Sequence, residues 1–541
     1  MSRFPTPRLA RSVATRWAQF SLALFALLLS LGGCASLPTV RTVEPSFALN
    51  DTADTLVART AARSLGQLQG PSGIHLLPRG PGAFLARLVL AEAAQRSIDA
   101  QYYIWQNDKV GKLLLGAMVR AADRGVRVRL LIDDIGSLAD DETLLLVDSH
   151  PNIEVRLFNP ASTRSARGFW VVTDFSRVNR RMHNKSFTVD NQMTIVGGRN
   201  IGDEYFEAAS SFNYGDMDAI AIGAAVPEVS SRFDRFWNSP VVYGISELHK
   251  HRPDAADAAR LRASLYAFAQ QQRGDEYAQD MRESPLAQEL RGGTVSFSSA
   301  RIRVTADDPA KVEQPGKAPN ANLLRQLTPE FAAARDTLVL VSPYFVPGKG
   351  GVQLLKDMRT RGVKVKILTN GIASTDQLPV FGKYKKYRRP LLEAGIELYE
   401  VNPKGPHDPG AVLQTTGRPA TPGGRPPKAA LHGKILVFDC REFFVGSMNL
   451  DPRSARINTE IGFVVDAPDV ATTLCGGLDE TFVRGAYRVE LKKVSGSGDT
   501  RLEWVGLDDG KETRLKGEPH SSAWRRFKAW FYGILPIEKQ L

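Results

Sequence analysis

The chain has 541 residues, of which 43% are hydrophobic and 24% are charged, and its formal net charge at pH 7 is +12. This ordinary globular composition excludes a chain too small or too polar to bury a core, and the length suffices for two large domains or one duplicated body. The positive charge favours anionic partners, but lipid headgroups and nucleic acids both qualify, so charge alone leaves that choice open.

The first 33 residues have the pattern of an export signal. Arginines precede an apolar run from Phe20 to Leu31, which is followed by two glycines and Cys34. Because this ending resembles a bacterial lipobox, we predict a lipoprotein-type signal peptide over 1–33 and lipidation of Cys34. Ala35, where an Asp would retain the protein at the inner membrane, predicts outer-membrane sorting in a host with two membranes. A plain transmembrane anchor is the alternative, although the run is shorter than the roughly 20 residues that span a bilayer.

Two stretches, 93–136 and 333–374, repeat one pattern: an apolar strand, a helix with leucines at helical spacing, an Arg-Gly turn and a second strand. Strand, helix and strand in this order predict right-handed crossovers and a mostly parallel sheet. The sequence therefore predicts an α/β protein with two mixed, mostly parallel sheets flanked by helices. The first half covers 80–245 and the second half covers 321–490.

Two segments flank the first half, and a third lies within the second half. We predict an N-terminal linker over 34–79 and a helical insertion with a linker over 246–320. Residues 403–428 are rich in Pro and Gly and lead directly to a candidate catalytic histidine, so they form either a lid or a loop without function.

The tail, 491–541, contains aromatic and basic residues at helical spacing. This composition suits a lipid interface, and a terminal helix packed into the core is the equally weighted alternative. The residues concerned are Trp524, Arg525, Arg526, Phe527, Lys528, Trp530 and Phe531.

Each half contains one HxKxxxxD motif, at corresponding places in the repeat. Chance predicts roughly 0.02 such matches in a chain of this composition. The motifs consist of His183, Lys185 and Asp190 in the first half, and His432, Lys434 and Asp439 in the second. Both read as strands, so the period of two places His and Lys on one face and the Asp on the other. We therefore assign the two aspartates to structural support rather than to proton transfer.

These residue types fit phosphodiester chemistry without a metal. Lys185 and Lys434 would neutralise the non-bridging phosphate oxygens. One imidazole can attack phosphorus to form a phosphohistidine, while the other gives a proton to the leaving alcohol and takes one from the acceptor. Water as the acceptor gives hydrolysis, and an alcohol gives transfer.

A turn of small residues follows each motif at the same distance. Gly198 and Asn200 stand 15 and 17 residues after His183, and Ser447 and Asn449 stand at the same offsets from His432. Glycines, including Gly197 and Gly446, permit close approach to a ligand, and Asn or Ser side chains can bind phosphate oxygens. Tight turns between strands are the alternative.

Each histidine also needs a carboxylate that fixes its tautomer. Glu460 is the candidate in the second half, and either Asp216 or Asp218 is the candidate in the first. Surface acids are the alternative. The remaining cysteines, Cys440 and Cys475, show no disulfide framework or metal-ligand spacing, and we expect two separate buried thiols rather than a disulfide.

The paired motifs, each followed by Gly-Gly or Gly-Ser and Asn, are similar to the phospholipase D superfamily from about residue 80 to 490. The strings RGVRVRLLIDD, DFSRVNRRMHNKSFTVD and VGGRNIGDEYF resemble bacterial cardiolipin synthases within it. The resemblance implies a duplicated phospholipase D-like fold with one composite active site at the interface of the halves. It also implies phosphatidyl transfer onto phosphatidylglycerol, forming cardiolipin, with no metal and no cofactor.

Family roles carry over to the two motif histidines and lysines, Asn200, Ser447 and Asn449, with Glu460 as a histidine partner. The nucleophile in the superfamily is often the histidine of the first motif, which makes His183 attack and His432 the acid. Gly198 departs from the pattern, because it stands where the second half has Ser447, so the halves are not equivalent. The implied partners are a membrane, phosphatidylglycerol, phosphatidylethanolamine as a second lipid and a small accessory protein, and no nucleic acid is expected.

Three rival functions stay open. A phospholipase D would hydrolyse the same lipids to phosphatidic acid. A nuclease of the superfamily fits the basic charge but not the lipid anchor or the aromatic tail. A non-catalytic lipid-binding protein is disfavoured by two intact motifs.

Overall fold

The computed structural model describes residues 37–38, 43–136, 140–162, 164, 174–249, 251–293, 295–315, 322–404, 428–494, 498–508 and 510–541. The predicted signal peptide with Cys34, and most of the predicted loop at 403–428, lie outside these ranges. The described strands are β1 (Ser72–Leu77), β2 (Ser97–Tyr102), β3 (Arg127–Asp133), β4 (Ile153–Phe158), β5 (Ser186–Val189), β6 (Met193–Gly197), β7 (Phe212–Gly215), β8 (Asp218–Gly223), β9 (Val242–Gly244), β10 (Ser298–Ala306), β11 (Thr337–Val341), β12 (Lys364–Thr369), β13 (Glu397–Val401), β14 (Lys428–Leu431), β15 (Ile435–Phe438), β16 (Glu442–Gly446), β17 (Ile461–Asp466), β18 (Ala486–Lys493), β19 (Thr500–Asp508) and β20 (Lys511–Leu515).

The described α-helices are α1 (Leu56–Leu65), α2 (Gly80–Ala93), α3 (Lys109–Asp123), α4 (Asp141–Asp148), α5 (Phe175–Val178), α6 (Ala225–Trp237), α7 (Ala255–Gln271), α8 (Glu276–Glu283), α9 (Pro285–Arg291), α10 (Ala310–Glu313), α11 (Leu323–Gln326), α12 (Thr328–Ala333), α13 (Gly348–Thr360), α14 (Leu378–Tyr384), α15 (Arg388–Glu393), α16 (Pro452–Arg456), α17 (Pro468–Arg484) and α18 (Ala523–Ile534). Short 3-10 helices lie at Asp203–Tyr205, Ile245–Glu247, Gln272–Gly274, Lys385–Tyr387 and Glu538–Gln540. No helix in the described ranges is long and apolar enough to cross a membrane.

The predicted repeat is visible in the local structure. In the first half α3 ends before Gly125, which has φ +94°, and β3 begins two residues later. In the second half α13 ends before Gly362, also with φ +94°, and β12 begins two residues later. Each glycine takes the left-handed conformation that stops a helix, which explains why the Arg-Gly turn recurs.

The strands of each half pair in the same order, and this confirms the predicted duplicated α/β architecture. From the centre outward the first half runs β1-β8-β6-β5-β2-β3-β4-β9. The second half runs β10-β17-β16-β15-β11-β12-β13-β18 and continues into β19 and β20. Helices flank both halves, so the repeated sequence pattern corresponds to a repeated fold.

Two details of the predicted sheets differ from the structure. The halves share one 18-stranded sheet, because the edge strands β1 and β10 pair antiparallel, with Ser72 opposite Ala300. The pairs between described strands are also mostly antiparallel: among them, the β2-β3-β4 and β11-β12-β13 crossovers and the short β7–β14 pair are the parallel ones. The sequence pattern identified the crossovers correctly, but it did not predict how the remaining strands would be added around them.

The predicted segment boundaries also shift. The predicted linker over 34–79 contains α1 and β1, and the predicted insertion over 246–320 contains β10, which is the counterpart of β1. The helices α7, α8 and α9 precede β10 in this segment, and α10 follows it. The predicted tail over 491–541 contains β19, β20 and α18.

The cysteine prediction was wrong. Cys440 and Cys475 form a disulfide that joins the turn between β15 and β16 to α17. A separation of 35 residues gave no local signal of pairing, because the contact depends on where α17 packs against the sheet. The bond closes a loop within the second half and restrains the hairpin that follows the second motif.

Apolar residues form three main clusters. One lies in each half, and a third is shared, with Ile74 and Val196 of the first half packed in the same cluster as Val304 and Phe463 of the second. Because this third cluster is buried and continuous, it fixes the two halves relative to one another. The strand ends that carry both motifs therefore meet at a defined interface.

Candidate active site

His183 lies in an extended segment just before β5, where it contacts the second half. Its backbone N–H donates to the carbonyl of Thr459 at 2.9 Å. Its Nδ1 atom lies 2.8 Å from Oε2 of Glu460, the next residue of the second half. The first histidine is thus held by backbone and side chain of the opposite half.

His432 lies between β14 and β15 and has the reciprocal arrangement. Its backbone N–H donates to the carbonyl of Gly215 at 2.7 Å, and its Nδ1 atom lies 2.5 Å from Oδ2 of Asp216. The parallel pair of β14 and β7 brings these residues together across the interface. In both cases, the backbone N–H of the histidine donates to the residue just before an acidic residue, and Nδ1 of the same histidine contacts the carboxylate of that acidic residue.

This crossing corrects the predicted assignment of the carboxylates. Glu460 serves His183 rather than the histidine of its own half, and Asp216 serves His432. Asp218 serves neither, because its carboxylate pairs with Arg87 at 2.9 Å deep in the first half. Spacing along the chain suggested partners within a half, whereas the approximate two-fold relation of the halves places the partners opposite.

Ser447 supports Glu460, the carboxylate that orients His183. Its hydroxyl donates to Oε2 of Glu460 at 2.5 Å, and the hydroxyl of Ser454 donates to Oε1 at 2.7 Å. Burial raises the pKa of Glu460 to about 7, although Lys185 and these hydroxyls oppose the shift. Glu460 is thus a buried carboxylate with three hydrogen-bonding neighbours.

Gly198 takes the place of a serine because Asp216 occupies the space. A Cβ atom at Gly198 would lie 2.2 Å from Oδ1 of Asp216, and one at Gly197 would lie 2.0 Å from Oδ1 of Asp218. At Gly446 it would lie 2.4 Å from the carbonyl oxygen of Ile461. Neighbouring atoms of the chain thus occupy the space that a side chain would need at each of these glycines.

The two lysines lie beside their histidines and are buried. Nζ of Lys185 donates to the carbonyl of His183 at 2.7 Å. Nζ of Lys434 donates to the carbonyl of His432 and lies 2.9 Å from its Nδ1 atom. Burial lowers the pKa of Lys185 well below its usual value, and it lowers the pKa of Lys434 to about 8.

The asparagines of the two turns have different surroundings. Oδ1 of Asn200 accepts a hydrogen bond from the backbone N–H of Ile104 at 3.2 Å. Oδ1 of Asn449, at the same offset in the second half, is buried and has no hydrogen-bond partner within the described part of the chain. The two halves therefore differ at this position as well as at Gly198 and Ser447.

Both motif aspartates lie away from the histidines, at the turns that end β5 and β15. Asp190 and Asp439 have φ values of +51° and +52°, which Asp tolerates in tight turns. The carboxylate of Asp190 accepts backbone N–H groups of residues 95–97, and that of Asp439 accepts those of residues 335–337. The contacts match the predicted supporting role, because they fix the segments that enter β2 and β11.

Four tyrosines around the histidines were missed by the sequence analysis. Tyr103 lies 5.1 Å from His183, and the rings of Tyr205, Tyr214 and Tyr344 lie 5.2, 4.9 and 6.4 Å from His432. Asp376, an exposed residue, accepts hydrogen bonds from the hydroxyls of Tyr214 and Tyr344. Two of the four tyrosines could have been found from the repeat, because Tyr103 and Tyr344 follow equivalent strands in the strings QYYIW and SPYFV.

The charges around the two histidines are unequal. Burial, with Lys185 and Lys434, lowers the pKa of His183 well below 6.5. Burial and Lys434 lower the pKa of His432 to about 4, while Asp216 acts in the opposite direction. Burial alone would raise the pKa of Asp216, but Lys434 and His432 outweigh it and lower the pKa, so this carboxylate is ionised at neutral pH. Glu460 is much less acidic than Asp216.

Known proteins are similar to this chain over most of its length. The family described as "Cardiolipin synthase, PLD-like domain" matches residues 88–237 and 327–480. "Cardiolipin synthase C" of Escherichia coli (strain K12) is 42% identical over 475 residues, covering 87% of this chain and 97% of its own length. An uncharacterized protein of Helicobacter pylori (strain ATCC 700392 / 26695) is 30% identical over 528 residues, covering 96% of this chain and all of its own.

One solved structure supports the fold. Phosphatidylserine synthase of Haemophilus influenzae Rd KW20 matches with a TM-score of 0.50 and 15% identity, covering 78% of this chain and 89% of its own. At this identity the likeness concerns the fold alone. It agrees with the duplicated α/β architecture described above.

Proposed function

Since the chain belongs to the family of phospholipase D-like cardiolipin synthases, we infer that it is an enzyme that transfers phosphatidyl groups between phospholipids and forms cardiolipin. The observation that carries this inference at the site is the crossed pair of histidines. Two buried imidazoles, each oriented through Nδ1 by a carboxylate of the opposite half, form one composite centre. Such a pair can supply both the nucleophile and the proton-transfer group that phosphoryl transfer through a covalent intermediate uses.

In the first half-reaction, His183 is the nucleophile. Its Nδ1–H donates to Glu460, so Nε2 carries the lone pair that attacks phosphorus. The bond from phosphorus to the leaving alcohol breaks as the P–N bond forms, and His432 gives its proton to the departing oxygen. The product is a phosphatidyl group on His183, with Lys185 and Lys434 supplying positive charge near the phosphate oxygens.

In the second half-reaction, the roles at His432 reverse. The neutral imidazole takes the proton of an acceptor hydroxyl, the hydroxyl oxygen attacks phosphorus, and the P–N bond to His183 breaks. When the hydroxyl belongs to the glycerol headgroup of phosphatidylglycerol, the product is cardiolipin. His432 regains its proton, so the enzyme returns to its starting state.

The unequal carboxylates support this division of roles. Asp216 is ionised and stabilises an imidazolium at His432, as an acid requires. Glu460, with a pKa of about 7, keeps less negative charge beside His183, which favours a neutral nucleophile. The negative charge of a bound phosphodiester offsets the lysines that lower the pKa of His432.

We also propose which lipids serve as acceptor and donor. Phosphatidylglycerol is the proposed acceptor, and phosphatidylglycerol and phosphatidylethanolamine are the proposed donors. Both contain the phosphodiester that the site would cleave, and the name of the Escherichia coli relative supports cardiolipin as the product. A small accessory protein stays a prediction.

The proposal also includes export and an N-terminal lipid anchor on Cys34. The signal-like pattern of residues 1–33 supports it, and so does the Cys440–Cys475 disulfide, because disulfides persist in oxidising compartments. Growth with radiolabelled palmitate should label the wild-type protein but not Cys34→Ser. Equal labelling of both would overturn the anchor.

Lipid mass spectrometry of purified full-length protein with both phospholipids tests the activity. We expect cardiolipin from the wild type and at least about 10⁴-fold less from His183→Ala or His432→Ala. Formation of phosphatidic acid without cardiolipin would show that the enzyme hydrolyses phospholipids instead of transferring phosphatidyl groups. Equal cardiolipin from the wild type and His432→Ala would overturn the two-histidine mechanism.

A further inference from the structure

The C-terminal helix α18 leaves a row of large apolar side chains in solvent. Trp524, Phe527, Trp530, Phe531 and Ile534 are 64%, 49%, 50%, 44% and 60% exposed. Neighbouring rings touch, with centroids 5.4 Å apart for Trp524 and Phe527 and 5.8 Å apart for Phe527 and Trp530. Together they expose an apolar patch on the order of 500 Å², a size that marks interaction sites.

Basic residues border this aromatic face on both sides. At 100° per residue, the five apolar side chains cover an arc of roughly 120° on the helix. Arg526 falls about 40° beyond Trp530 at one edge, and Lys528 falls about 40° beyond Trp524 at the other. Both flanking positions are the ones from which long cationic side chains reach lipid phosphates when an apolar face enters a bilayer.

The opposite face of α18 is packed on the protein. Ala529 and Gly533 lie against Gly382 in α14, where a Cβ on Gly382 would come within 2.5 Å of the Ala529 carbonyl. The helix is thus fixed on the second half by small residues. Its aromatic face is exposed because the helix is already packed on its other side.

The packed side also reaches the mouth of the active site. The guanidinium of Arg525 donates to the carbonyls of Ile372 and Thr375 at 2.7 and 2.6 Å. The next residue, Asp376, binds the hydroxyls of Tyr214 and Tyr344, the tyrosines beside His432. One short loop therefore connects α18 to the tyrosines beside His432.

We propose that α18 is a membrane-docking helix that inserts its aromatic face into an anionic phospholipid surface and turns the mouth of the active site toward the lipid. The inference deepens the proposed function and rests on it, because a lipid substrate has to enter the cleft from a bilayer. The charges at both edges of the face match anionic headgroups. Two copies of the same face would bring like charges together, which disfavours self-association.

Quenching by brominated lipids tests the insertion directly in the full-length protein. Trp105, Trp237 and Trp504 are buried, so Trp524 and Trp530 are the exposed tryptophans of the described ranges. Vesicles of phosphatidylglycerol with brominated acyl chains should quench the wild type clearly more than Trp524→Phe/Trp530→Phe. Because the variant keeps an aromatic face, its binding to the vesicles should be retained.

A second arm separates docking from catalysis. The variant with Trp524, Phe527, Trp530 and Phe531 replaced by Ser should form cardiolipin about tenfold more slowly from vesicles. Its rate on lipid dispersed in detergent micelles should stay within about twofold of wild type, since the catalytic residues are unchanged. Val483→Ser is the matched control, because Val483 is an equally exposed apolar residue on α17.

The outcomes distinguish the two proposals. Absence of cardiolipin from wild type in micelles overturns the function, whatever the quenching shows. Equal quenching of wild type and the double Phe variant, or equal loss of activity in vesicles and micelles, overturns the docking helix. A dimer that the Ser variant loses, seen by light scattering, would assign the face to a second copy instead.

Discussion

At each histidine, the partner of Nδ1 determines what the remaining ring nitrogen can do. His183 and His432 have the same local motif, but one faces a carboxylate with a raised pKa and the other an ionised carboxylate. The difference depends on which effect prevails at each carboxylate: burial outweighs Lys185 and the two serine hydroxyls at Glu460, whereas Lys434 and His432 outweigh burial at Asp216. Residue identity provides the reactive groups, and their surroundings assign the roles.

The crossed partners lead to a prediction for Glu460→Gln and Asp216→Asn. Each should lower kcat by about 10²–10⁴-fold with little change in KM, because the amide no longer holds the required tautomer. Steady-state kinetics on micellar lipid would measure it. Asp466→Asn, at the end of the strand that Glu460 precedes, is the matched control and should behave as wild type. If either carboxamide variant kept a kcat within twofold of wild type, the hydrogen bond between that carboxylate and its histidine would not contribute to catalysis.

Lys434 should set the alkaline limit of activity. Its pKa is lowered to about 8 by burial, so the charged form is present below that pH and is lost as the pH rises through it. The activity of the wild type should therefore fall above about pH 8. In Lys434→Arg the guanidinium stays charged, and the fall should move to higher pH by more than about one unit. Lys366→Arg is the control, and an unmoved limit in Lys434→Arg would assign the titration to another group.

Much of the residue-level site was predictable, for a physical reason. His183, Lys185 and Asp190 lie within eight residues, so their spacing reflects one extended segment and its turn. The position of Ser447 was predictable, but its hydrogen bond to Glu460 was not, because the acceptor lies in a different segment, just before β17. Local geometry follows from sequence, whereas the partner of a side chain depends on the packing of distant segments.

At the level of elements, hairpins and turns hold the motifs in place. Asp190 and Asp439 stand at the turns of the β5–β6 and β15–β16 hairpins, and their carboxylates fix the segments that enter β2 and β11. The crossover helices α3 and α13 stop at glycines with the same φ. These features were readable from the repeat, because each depends on a few consecutive residues.

The disulfide should stabilise the second half without taking part in catalysis. Cys440→Ser/Cys475→Ser should lose about 3–4 kcal/mol of unfolding free energy, the amount expected for closing a loop of this length. Thermal unfolding would measure the change, and reductant should lower the Tm of the wild type but not of the variant. Activity at low temperature should be unchanged. Two free thiols in unfolded, unreduced wild type would contradict the bond.

On the scale of the whole molecule, one sheet and one shared core bring the two motifs together. The antiparallel pair of β1 and β10 joins the halves at their edges, and the backbone N–H groups of both histidines bond across the interface. The composite site was expected from the resemblance of the paired motifs to the phospholipase D superfamily. Sequence analysis did not predict the single sheet, because β1 and β10 lie in segments that read as linkers.

The central claim is that the two histidines of the composite site have different roles: His183 carries the phosphatidyl group, and His432 transfers protons. The most direct test uses a phosphatidyl ester of p-nitrophenol, whose departure needs no acid, followed by peptide mass spectrometry at neutral pH. His432→Ala should release about one equivalent of p-nitrophenolate per protein and carry the phosphatidyl adduct on His183, whereas His183→Ala should do neither. An adduct on His432, or an equal burst from His183→Ala, would contradict the claim.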